Sequence, residues 1–186
     1  MSLLKPKRLA PGDTIAIVSP ASPMLTTVQQ ERGIEALERM GYRVVTARHA
    51  NDKHLLFAGK EKDRAGDINA AFRDKSVQAI ICTRGGCGTS QLLPYIDYAL
   101  IANNPKIFVG YSDITAMQMA FLQKANLVTF AGPMLAVDFH DEISTFTEEF
   151  FWRLVTSNKK IGRIKNPNNE KIYYLRKGSA IGQTVG

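Results

Sequence analysis

The sequence predicts a layered α/β domain built on a mostly parallel sheet. Three observations carry this expectation. Strand-like and helix-like patterns alternate from Thr14 to Thr156. The strand patterns are short continuous apolar runs, as strands buried on both faces require, rather than apolar–polar alternations. Two glycine-cornered turns follow directly on two consecutive strands, at the strand ends where parallel sheets gather their ligands.

Thr14-Ile15-Ala16-Ile17-Val18 is the first such run, introduced by the turn Pro11-Gly12-Asp13 and closed by Ser19-Pro20. A helix is expected from about Thr27, where Thr27 and Gln30 have capping-box spacing. Ile34, Leu37 and Met40 share one face of it, and Gly41 supplies the stop. Arg43 to Thr46 reads as the second strand and His49 to Gly59 as a loop. Lys60 to Arg73 reads as a helix with Ala65, Ile68 and Phe72 on its inner stripe. Val77 to Thr83 is the third strand and ends in Arg84-Gly85-Gly86-Cys87-Gly88. A short helix through Gln91 and Leu92 is expected to stop before Pro94, because proline removes a helical donor, and another is expected near Asp97 to Ala102. Ile107 to Val109 is the fourth strand, Asp113 to Lys124 a helix, Leu127 to Phe130 the fifth strand, and Thr145 to Thr156 the last helix. The texture changes after Ser157. Asn158 to Asn169 is polar and turn-rich, Lys171 to Leu175 is strand-like, and Gly178, Gly182 and Gly186 recur at equal spacing. The expected division is therefore a nucleophile-bearing α/β domain over 1–157, then a linker and the incomplete beginning of a second domain over 158–186.

With 186 residues, 45% hydrophobic and 22% charged, the chain can bury one full core. No run approaches the roughly 18 to 20 apolar residues of a membrane span, and Met1 to Arg8 lacks the apolar stretch of a secretory signal. A cytoplasmic location with no membrane partner is expected. The only cysteines, Cys82 and Cys87, exclude a disulfide scaffold and read as reduced thiols. Of the net charge of +7, the stretch Lys159 to Lys177 holds +6, with seven basic residues against Glu170. No nucleic-acid motif accompanies it, so it reads as a solvated face or one aimed at an anionic ligand, and no nucleic-acid partner is expected.

Ile107-Phe108-Val109-Gly110-Tyr111-Ser112-Asp113-Ile114-Thr115 runs from an apolar strand through a glycine corner into a helix opened by Ser112. That arrangement displays a serine hydroxyl as a nucleophile, with the amide of Asp113 available to a developing oxyanion. The same residues also suit plain capping chemistry, since serine is a favoured N-cap and an aspartate in the first turn favours the helix dipole. The Gly-x-Ser-x-Gly pattern is incomplete, with Ile114 in place of the second glycine. Arg84 to Ser90 reads either as an anion-cradling loop or as a tight turn; it lacks the lysine of a P-loop. Cys87 at that corner is a rival nucleophile resembling that of glutaminase domains, and a non-catalytic anion-binding module is the alternative of another class. His49, His54 and His140 lie in polar loop contexts and read as surface residues, and no metal site or cofactor is expected. A serine nucleophile needs a general base, and no histidine stands in a convincing position for it.

Leu9-Ala10-Pro11-Gly12-Asp13 with Ile15 to Ala21, then Thr83 to Gly88, Pro105 to Thr115, and Thr129-Phe130-Ala131-Gly132-Pro133-Met134, in this order, resemble the LD-carboxypeptidase family, the muramoyltetrapeptide carboxypeptidases and microcin-immunity enzymes. The resemblance covers nearly the whole chain. It implies a flavodoxin-like domain in which Ser112 attacks the peptide carbonyl while the amides of Asp113 and Gly86 hold the oxyanion. It also implies a cofactor-free Ser-Glu-His triad that releases a terminal D-amino acid from anionic murein-derived peptides in the cytoplasm, and a homodimer. Cys87 departs from the family's usual tyrosine. The family's Glu and His belong to a C-terminal domain whose opening Gly178 to Gly186 resembles, so these 186 residues alone are expected to be truncated and inactive.

Overall fold

A computed structural model describes residues 3–162, 164 and 178. The expected strand Lys171 to Leu175, the basic residues Arg163, Lys165, Lys171, Arg176 and Lys177, and the run Ser179 to Gly186 lie outside the described residues.

Five strands form one sheet: β1 (Thr14–Val18), β2 (Arg43–Thr46), β3 (Val77–Cys82), β4 (Ile107–Gly110) and β5 (Phe130–Ala131). Their order is β2-β1-β3-β4-β5 and every pairing is parallel. This is the flavodoxin-like doubly wound order, with its reversal between β1 and β3. The helices are α1 (Thr27–Arg39), α2 (Glu61–Arg73), α3 (Tyr98–Asn103), α4 (Thr115–Ala125) and α5 (Thr145–Thr156).

Period-two geometry splits each central strand between two cores. Ile15 and Ile17 of β1, Ala79 and Ile81 of β3, and Ile107 and Val109 of β4 face Leu37 of α1 with Phe151 and Val155 of α5. Ala16, Val18, Ile80, Cys82 and Phe108 face the other side, against Ile68 and Phe72 of α2, Ile101 of α3, and Met117 and Phe121 of α4. The rings of Phe72, Phe108 and Phe121 meet there, with the Phe108–Phe121 centroids 4.9 Å apart at an interplanar angle of 71°. β1 and β3 are buried along almost their whole length, which is why their sequences read as unbroken apolar runs.

Several expectations need correction. The α1 cap is Thr26, whose Oγ1 accepts the Gln29 N–H at 3.3 Å, so the capping residue sits one position before Thr27. The short helix after β3 is a 3₁₀ turn, Thr89–Tyr95, that includes Pro94. Its i→i+3 bonding differs from the α-helical i→i−4 arrangement, in which the proline ring strikes the i−4 carbonyl. The fifth strand is confined to Phe130–Ala131; Leu127 instead bridges Leu4, which adds the N-terminal segment to that edge. A π-helical turn at Leu135–Phe139, absent from the sequence reading, packs on α1 so closely that a Cβ on Gly33 would lie 2.7 Å from the Leu135 carbonyl oxygen.

Candidate active site

The β3 and β4 carboxyl ends meet as adjacent parallel strands must. Ser112 follows Gly110 and Tyr111 and is exposed, with φ of +62°. A non-glycine residue in the left-handed region is uncommon and costs roughly 1–3 kcal/mol, so the surrounding structure has to impose it. Two restraints are visible. Gly110 allows the chain to turn under α4, since a Cβ there would come within 2.8 Å of Ile114. Ser112 then opens a 3₁₀ turn, Ser112–Ile114, that runs directly into α4. Ser112 is not a helix cap: its backbone is not the extended form a cap requires, and neither turn nor helix start has a side-chain cap bond. The Asp113 N–H is among the first amides of this helical run, which helices leave without internal acceptors.

Gly85 is buried against the hydroxyl. A Cβ on Gly85 would lie 3.0 Å from the Ser112 Cβ and 3.2 Å from its Oγ, so a side chain there would push the Ser112 side chain aside by a few tenths of an ångström. Gly86, next along, is exposed with φ of +129°, and Ser22 from the loop after β1 packs against it. The Ser22 Oγ accepts the Cys87 N–H at 3.3 Å. The Asp113 carboxylate accepts from the Thr89 N–H at 2.9 Å and from the Thr89 hydroxyl, joining the Ser112 turn to the far end of the glycine loop. Ser112, Asp113, Gly86 and Cys87 are thus gathered at the carboxyl ends of β3 and β4, and Ser22 joins them from the loop after β1.

Behind the loop lies Arg64 of α2, 2% exposed. Its Nε donates to the Gly59 carbonyl at 3.1 Å, Nη1 to the Pro20 carbonyl at 2.6 Å and the Gly88 carbonyl at 3.3 Å, and Nη2 to Gln91 Oε1 at 3.1 Å. Its Cζ lies over the Phe57 ring, 5.1 Å from the centroid. Burial pulls the guanidinium below its ordinary pKa, opposed by the charges of Glu61, Asp113 and Cys87. On the other flank of Ser112, a cavity of about 190 Å³ is lined by Tyr111, Ala131, Gly132, Pro133, Asp138 and Thr147. Burial first, then the Asp138 carboxylate, raises the pKa of the Tyr111 phenol.

The histidines differ from their surface reading. His54 is exposed, but His49 is half-buried, with Nδ1 3.0 Å from Asp67 Oδ1 and its N–H donating to Asp67 Oδ2 at 2.9 Å. His140 is half-buried as well; its Nδ1 is enclosed without a partner among the described residues, and its Nε2 lies 3.5 Å from the Gln29 amide. The partner of His140 on α1 is remote in sequence, and that of His49 on α2 is reached only once the loop after β2 folds back on the helix. His49 follows β2, three strand positions from β4, roughly 14 Å away at the usual strand spacing, so it is out of reach of Ser112. Among the described residues no cluster of potential metal ligands occurs, and no helix is long and apolar enough to cross a membrane.

Sequence reasoning missed Ser22, Phe57, Arg64 and the side-chain role of Asp113. Arg64 had a signal: it stands at i−4 and i−8 from Ile68 and Phe72, on the apolar stripe of α2, where a charge needs a reason.

Residues 15–132 match the LD-carboxypeptidase N-terminal domain family. The Bacillus subtilis (strain 168) protein YocD is 44% identical over 146 residues, which are 77% of this chain and 45% of YocD. The murein tetrapeptide carboxypeptidase of Pseudomonas aeruginosa is 34% identical over 121 residues, 64% of this chain and 39% of that enzyme. The microcin C7 self-immunity protein MccF of Escherichia coli, in its structure with aspartyl sulfamoyl adenosine, covers 84% of this chain with 48% of its own, at 34% identity and a TM-score of 0.80. The chain spans about half the length of the curated relatives it matches.

Proposed function

The chain belongs to the LD-carboxypeptidase family, and on that premise we propose that it carries the nucleophile half of a serine carboxypeptidase that releases a terminal D-amino acid from murein-derived tetrapeptides. Ser112 Oγ attacks the scissile carbonyl, and the amides of Asp113 and Gly86 receive the oxyanion. The supporting observation is the exposed, left-handed Ser112 seated on the bare α-carbon of Gly85. A capping serine would need neither the strain nor the close approach.

The proton acceptor and its orienting acid are taken from polypeptide beyond these residues, a Glu and a His as in the family's triad. The chain's three histidines, His49, His54 and His140, point to no such role: His49 is held by Asp67 out of range, His54 is exposed in a loop and His140 is turned to α1. Murein peptides are the substrate class because the Pseudomonas aeruginosa relative is named for them. Binding of aspartyl sulfamoyl adenosine by MccF supports an acidic aminoacyl or peptidyl ligand. A cytoplasmic location and a homodimeric full-length protein complete the reading.

The test is release of D-Ala from a murein tetrapeptide by this chain and by a full-length protein containing it. The full-length protein should be active and lose activity by about four to six orders of magnitude in Ser112→Ala, and the 186 residues alone should show a comparable deficit. Loss in Cys87→Ser with retention in Ser112→Ala would transfer the role to Cys87. Binding of an anionic peptide without turnover by the full-length protein would favour a non-catalytic module.

A further inference from the structure

We propose that Arg64 is the positioning residue of the oxyanion loop: its buried guanidinium latches the loops after β1 and β3 together, so that the Gly85–Gly88 backbone faces Ser112. The inference rests on the nucleophile reading of Ser112.

A guanidinium buried to 2% exposure is costly unless its charge is answered. Among the described residues no carboxylate lies within ion-pair distance of Arg64; its listeners are three carbonyls and one amide oxygen instead. Those acceptors come from separate segments: Pro20 after β1, Gly59 before α2, and Gly88 and Gln91 after β3. A planar fork of five donors can hold such a set at once, whereas a lysine ammonium cannot cover the same directions. The geometry at Gly88 shows how tight the latch is. A Cβ there would lie 2.5 Å from the Phe57 ring and 3.1 Å from Arg64 Nη1, and Gly88 adopts φ of +103° to present its carbonyl to the guanidinium. One residue further, Thr89 is fastened to Asp113, and one residue earlier the Cys87 N–H is fastened to Ser22. The loop is therefore held at three consecutive residues, and Arg64 binds backbone carbonyls of both loops at once, at Pro20 in the loop that carries Ser22 and at Gly88. Releasing Arg64 would loosen both walls while leaving Ser112 and Asp113 in place.

A thiol at position 112 reads this without needing the missing proton acceptor. In a Ser112→Cys, Cys87→Ser background of the full chain, the pH midpoint of alkylation by iodoacetamide reports how well amides at the site stabilise a negative charge. Buried Cys82 is the internal control, because it reacts only when the domain opens. The midpoint should lie below the ordinary thiol value of about 8.5. Introducing Arg64→Lys should raise it by about one unit with Cys82 still protected. An unmoved midpoint in a protected Arg64→Lys chain overturns the inference. If Arg64→Lys exposes Cys82, Gln91→Leu, which releases only Nη2, decides instead: a smaller upward shift supports the latch and no shift overturns it. An ordinary midpoint in the background itself would sink the nucleophile reading, an outcome distinct from failure of the latch.

Discussion

Ser112 holds a strained backbone because its neighbours leave it no alternative, and that makes stability and activity pull apart at one residue. Ser112→Gly should raise unfolding stability by about 0.5–1 kcal/mol in urea titration, since glycine adopts φ near +60° without a Cβ penalty. The same change should abolish peptide hydrolysis in a full-length protein. A destabilised Ser112→Gly chain would show that the left-handed conformation is not strained. Gly85→Ala acts differently: the new methyl would press on the Ser112 Oγ from 3.2 Å, so hydrolysis should fall by at least about 100-fold while the melting temperature changes little. The sequence pointed to Ser112 from its place after a strand, and the family resemblance pointed to Gly86. It left Gly85 undistinguished from its neighbours because only the packed pair of loops shows which glycine meets the hydroxyl.

At the scale of elements, β1, β2, β4 and α5 were legible almost to the residue, since continuous apolar runs and amphipathic spacing mark them locally. The elements misread are those whose form depends on contacts. The β5 edge shrinks to two residues because Leu127 pairs with Leu4, and the π-helical turn at Leu135–Phe139 exists against α1. Gly33 is the hinge of that packing. Gly33→Ala would ordinarily stabilise a helix by about 1 kcal/mol, but here its Cβ meets the Leu135 carbonyl. Net destabilisation of about 1–3 kcal/mol is expected, read from the midpoint of denaturant unfolding; a gain in stability would mean that the turn yields.

For the whole molecule, pH reports on a buried lysine. Lys106, 7% exposed, donates from Nζ to the Ala71 and Asp74 carbonyls at the end of α2, and burial pulls its pKa down to about 8. Between that value and the ordinary value near 10.4, the unfolded chain keeps a proton that the folded chain has released, so stability should rise with pH from about 8. The rise should end near pH 10, where burial of the Tyr42, Tyr98 and Tyr111 phenols, all raised in pKa, turns the slope downward. Urea midpoints measured between pH 7 and 10 should climb in the parent and stay flat in Lys106→Met; parallel profiles would exclude Lys106 as the source. At this scale the sequence by itself determined the α/β class, the parallel sheet, the family and the serine at the corner, because each is written in local periodicity and short motifs. Only the tertiary structure decided which glycine touches the hydroxyl, that Asp113 binds Thr89, that Arg64 ties the loops together and that His49 is too far to serve. Those are matters of distance between strands and loops far apart along the chain, and distance across a sheet is set by strand order and packing, which no local pattern of residues encodes.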